Sequence, residues 1–175
     1  MDSSRIEIEL EKLSAEFETL AEAVDAYEAK PEGFMPEWTI KNSISAILQI
    51  VYTNIENILM AILRETDSFQ PSGDSFHKEV LERAASPVPG VREPLISAEL
   101  KANLVHLLGF RHVMRKRYVQ EIDLPLALAN VERARTVIPR FRGEIQRFVT
   151  VSNQPKDVEP ETGKPASKRK GIDRP

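Results

Sequence analysis

The residues best suited to chemistry cluster between positions 111 and 118: Arg111, His112, Arg115, Lys116, Arg117 and Tyr118. At helical spacing Arg111, Arg115 and Tyr118 stand at i, i+4 and i+7 and share one face. His112 and Lys116, also four apart, lie on an adjoining face. Cations bind phosphate oxygens and an aromatic ring can stack on a base, so this set suits a phosphate-rich ligand. The same residues also suit a solvated helix end, where Arg and Lys in the last turn complement the helix dipole. Arg92 is a further candidate for a phosphate contact. It lies in the proline-rich segment 85–94, whose reduced backbone entropy can hold a side chain over a neighbouring site or simply connect two helices.

The background against which these cations act is ordinary. The chain has 175 residues, enough for one domain with a sizeable core and a tail. Apolar residues make up 41% and charged residues 29%, as in a soluble globular chain. A formal net charge of -3 gives no whole-protein attraction to nucleic acid or to an anionic membrane, so any basic site is local. The absence of cysteine excludes disulfides, thiolate-bound zinc and a thiol nucleophile. His77, His106 and His112 are too few and too scattered to suggest a metal site, and no cofactor is implied. No apolar run reads as long enough to span a bilayer, and the start Met1-Asp-Ser-Ser is unlike a signal peptide, so the expected compartment is the cytoplasm with no membrane partner.

Sparse Gly, Val and Thr beside plentiful Leu, Ile, Ala and Glu point to an all-α protein. The elements that must position the cationic segment are read as an up-and-down bundle of four to five helices. The first spans about 5–29, with Ser4 and Glu7 as a capping box and Ile6, Leu10, Leu13, Phe17, Leu20 and Val24 as its apolar stripe. The second, about 39–66, has the wide apolar face of a central helix, interrupted by Tyr52, Asn54, Glu56 and Asn57, which are read as structural hydrogen-bonding groups. A short third helix starts after Asp74 or Ser75 and carries His77, read as a packing or capping residue. Ser97 caps the fourth, which runs through His106, read as a core or boundary residue, into the cationic segment. Gly109 there predicts close approach by another helix. The fifth begins near Pro125 and is expected to kink at Pro139. A bundle domain over 1–151 and a disordered tail over 152–175, rich in Pro, Lys, Glu and Ser, complete the reading.

The stretch Phe110-Arg-His-Val-Met-Arg-Lys-Arg-Tyr118 resembles the signature of the HEPN superfamily, in particular the HepT-like ribonuclease toxins. In those proteins a helix carries Arg, a polar residue, a short spacer, then His, any residue and Tyr. Asn54-Ile-Glu-Asn57, the His77-containing segment 75–81, the loop 92–97 and Ile122-Asp123 follow in the family's order. The likeness runs from the first helix to about Val149.

The resemblance implies a homodimeric helical bundle that cleaves RNA in a basic cleft between protomers. It also implies a nucleotidyltransferase antitoxin as a candidate partner, which would transfer AMP to Tyr118. The family's Arg falls on Arg111, its polar residue on His112 and its Tyr on Tyr118, whereas its catalytic His is Lys116 here. Lysine titrates near 10.4, so only roughly one side chain in a few thousand is neutral at pH 7, against histidine's near-neutral titration. Lys116 can stabilise a developing phosphorane charge but serves poorly as a base. His112 is a candidate acid–base residue, and Arg111, Arg115, Arg117 and Arg92 are the expected RNA contacts. Three readings follow: a toxin whose metal-independent endoribonuclease site is altered or inactive, a non-catalytic HEPN module binding RNA, nucleotide or protein, and a purely structural helical dimer.

Overall fold

The computed structural model describes residues 2–31, 35–71, 73, 75–116 and 121–154, the side chains of residues 115 and 116 excepted. Among the described residues the chain forms an all-α, up-and-down bundle of α1 (Ser3–Glu28), α2 (Glu37–Asp67), α3 (Phe76–Ala84), α4 (Ala98–Lys116) and α5 (Leu124–Ser152). The tail expected over 152–175 lies, from residue 155 onward, outside the described residues.

The centre of the bundle is α2, which packs against α1, α3, α4 and α5. Its apolar positions are wide enough to serve several neighbours at once, and Ile44, Val51, Ile55, Leu59, Ile62 and Leu63 are fully buried. By length and composition this helix is apolar enough to cross a membrane, contrary to the expectation that no run would be. Here its apolar surface meets the other four helices. Ser68, in the left-handed conformation at φ 54°, ends it, and the Ser68 and Phe69 N–H groups close back on the Leu63 carbonyl.

The apolar stripe of α1 packs on α2 and α5 as the periodicity predicts. Its cap differs from the expected Ser4–Glu7 box. The helix begins two residues before the expected start, and the Asp2 carboxylate accepts a hydrogen bond from the Arg5 N–H at 3.1 Å. Glu7 instead faces α5, where it accepts hydrogen bonds from Arg142 at 2.8 Å and Gln146 at 2.9 Å, and Arg142 also bonds Glu11. The Arg142 guanidinium and the Gln146 amide on α5 outcompete the local box.

Ser97 caps α4 as expected, accepting from the Leu100 N–H at 3.2 Å. It also donates to Glu144 on α5 through its N–H at 2.6 Å and its hydroxyl at 2.9 Å, which fixes the start of α4 against α5. Asp123 caps α5, accepting from the Leu126 N–H at 3.0 Å. That helix continues through Pro139, which sits on its exposed side. Gly109 meets no other helix among the described residues: it is exposed, and a Cβ there would meet nothing within 4 Å. His106 is also exposed, not a core residue.

Candidate active site

Phe110 packs into the core and fixes the rotation of α4, which turns the next side chain, Arg111, toward α2 and α3. Arg111 is only 9% exposed, unlike a solvated helix-end arginine. Its Nη1 lies 3.0 Å from Nε2 of His77, and its guanidinium carbon stands 5.8 Å from the centre of the Tyr52 ring. His77 in turn places Nδ1 2.5 Å from Oε1 of Glu56, a carboxylate 4% exposed on α2. Three helices thus contribute one continuous polar chain, Glu56–His77–Arg111, inside an otherwise apolar wall.

The arginine decides the protonation pattern of that chain. A guanidinium has donors and no acceptor, so the His77 Nε2 facing it must present its lone pair. The remaining ring proton then sits on Nδ1 and is donated to Glu56. Burial pushes the Glu56 carboxyl above its usual value, while His77, Arg111 and Tyr52 pull it back toward ionisation. Burial also raises the Tyr52 phenol, helped by the Glu56 charge and opposed by Arg111, so Tyr52 remains a neutral phenol. Its hydroxyl lies near enough to Glu56 to feel that charge but has no partner in hydrogen-bond geometry among the described residues. Arg111 Nε is also buried without a partner among the described residues.

The expected site residues divide into three groups. Arg111 and His112 come together around His77: His112 points outward, yet its ring packs edge-on at 6.0 Å from that of His77. The backbones of Arg115 and Lys116 continue α4, whereas Arg117 and Tyr118 lie outside the described residues, as do the side chains of Arg115 and Lys116. Arg92 belongs elsewhere. It closes a tight turn in which Val88 and Arg92 exchange backbone hydrogen bonds of 2.8 and 3.0 Å around Gly90, whose φ of 73° suits glycine. Its side chain, 3% exposed, bonds the Asp67 carboxylate and the carbonyls of Arg83, Ser86 and Glu93. These bonds pin the loop to the end of α2.

Glu56 and His77 are the residues that sequence reasoning passed over. Their signal was present as an acidic group on the apolar side of α2 and a histidine near the start of the short α3. Neither is distinctive alone, and their pairing appears only when α3 docks on α2.

A family model described as "HepT-like protein" matches residues 43–152. The chain belongs to the HepT-like HEPN family. The match includes α3, α4, α5 and α2 from residue 43 onward, and therefore every member of the Glu56–His77–Arg111 chain. No curated protein and no solved structure matches the sequence.

Proposed function

We propose that this HepT-like chain is the toxin half of a toxin–antitoxin pair, a cytoplasmic homodimer that engages RNA through an altered metal-independent endoribonuclease site. Arg111 positions the scissile phosphate, Lys116 adds positive charge, and Arg115 and Arg117 extend the phosphate contacts. His112 is a candidate acid–base group. Tyr118 completes the site and is the acceptor for AMP from a nucleotidyltransferase antitoxin.

The observation that supports this reading is the held guanidinium. Arg111 lies within a buried network from three helices, and such pre-orientation suits a phosphate-binding arginine better than a dipole-complementing one. Lys116, standing where the family has histidine, favours a second reading in which the module binds RNA, nucleotide or a protein without cutting.

Incubation of a mixed RNA pool with wild type, Arg111→Ala and Lys116→His, without added metal, separates the two. The toxin reading expects wild-type cleavage that disappears in Arg111→Ala. Cleavage only after Lys116→His marks a silenced nuclease. Silence in all three variants, with RNA binding retained, moves the assignment to the binding module.

A further inference from the structure

We infer that His77, oriented by Glu56, is the proton acceptor of this site, supplied from α3 and not from α4. The inference rests on the ribonuclease reading above and assigns its proton acceptor to a residue other than the candidate His112. Metal-free RNA cleavage requires removal of a proton from a 2′-hydroxyl, a task for which Lys116 is poorly suited. His77 has the form the task requires. Its Nδ1 is held 2.5 Å from the buried Glu56 carboxylate, and its Nε2 faces the Arg111 guanidinium at 3.0 Å, where a lone pair meets the donor. A carboxylate behind one ring nitrogen fixes the tautomer and stabilises the imidazolium that forms when the other nitrogen takes a proton. The side chain is 22% exposed, so one edge of the ring reaches solvent while Glu56 stays covered.

The Arg111–His77 hydrogen bond keeps base and phosphate-binding group adjacent before substrate arrives. A phosphate that draws the guanidinium toward its own oxygens uncovers Nε2 beside the sugar of the same nucleotide. The 2′-hydroxyl proton passes to Nε2 as the 2′-oxygen forms its bond to phosphorus. The bond from phosphorus to the 5′-oxygen breaks, and that oxygen takes a proton from water. His77 then returns its proton to the hydroxide so formed. The products are a 2′,3′-cyclic phosphate and a 5′-hydroxyl, and the protein is unchanged.

The deciding variant is His77→Gln. A glutamine amide can donate to Glu56 and accept from Arg111, which preserves the packing and the arginine's position, but it cannot carry a proton. With full-length protein and a mixed RNA pool, His77→Gln should bind RNA within about threefold of wild type. Its cleavage should be slower by on the order of 10²–10⁴-fold, the usual contribution of a general base. Millimolar imidazole should restore part of the cleavage lost in His77→Ala, a response that a packing role would not give. Wild-type-like cleavage by His77→Gln overturns the assignment while leaving the ribonuclease reading intact. A wild type that cuts no RNA overturns both. Loss of RNA binding in His77→Gln in parallel with cleavage would make His77 a positioning residue for Arg111 and overturn its role as the base.

Discussion

Replacement of Arg92 by alanine tests whether this arginine secures the fold or reaches out to RNA. Its loss would leave the Asp67 carboxylate, 3% exposed, with only Arg83 as an ion-pair partner at 2.9 Å among the described residues. The carbonyls of Arg83, Ser86 and Glu93 would lose their guanidinium donors, and Asp67 Oδ1 already has no hydrogen-bond partner among the described residues. Removing one partner of a buried ion pair costs about 3–5 kcal/mol, and the surviving Arg83 contact puts the expectation near the lower end. For a chain of this size, about 3 kcal/mol lowers Tm by about 6–12 °C. Arg83→Ala is the matched control. Its side chain is 37% exposed, and Asp67 would keep Arg92, so about 1 kcal/mol or less should be lost. Arg92→Lys should resemble Arg92→Ala, because a single ammonium cannot serve acceptors arranged around a planar fork. Urea unfolding gives the three differences, and filter binding to an RNA pool gives affinity. If Arg92→Ala is as stable as Arg83→Ala but binds RNA more weakly, the guanidinium leaves its pocket to meet RNA and the structural account fails.

Two further outcomes are expected. Gly109→Ala should stabilise the monomer by up to about 1 kcal/mol, since the helical position is open and glycine is the poorer helix former. If the variant instead weakens self-association in sedimentation, that face of α4 meets a second copy. The buried Glu56 carboxyl, raised above its usual value mainly by desolvation, makes the folded state hold its proton more tightly than the unfolded chain does. Stability from this group therefore falls as pH rises from about 4.3 through the raised folded value. Glu56→Gln should gain on wild type across that window in thermal unfolding followed by circular dichroism, and a relative loss with rising pH contradicts the burial argument.

The sequence by itself determined the helices and their inward faces. A repeat near 3.6 residues, as in Ile6, Leu10, Leu13 and Phe17, requires only that one side of a helix be covered. Short-range signals such as Ser97 before α4 and Pro125 in the first turn of α5 act within a few residues and were legible for the same reason. The family signature around Arg111 was legible because it too is a short, continuous run of sequence. The tertiary structure decided which polar groups meet. Glu56 and His77 are 21 residues apart and His77 and Arg111 are 34 apart, and no local rule favours those pairings. Arg92 and Glu7 show the same limit from the other side. Each had a plausible local or functional role, and each was drawn into charge-assisted contacts with distant groups, Asp67 for one and Arg142 for the other. In a partly buried setting such partners outweigh a capping box or a solvated position, and only the packing of helices brings them within reach.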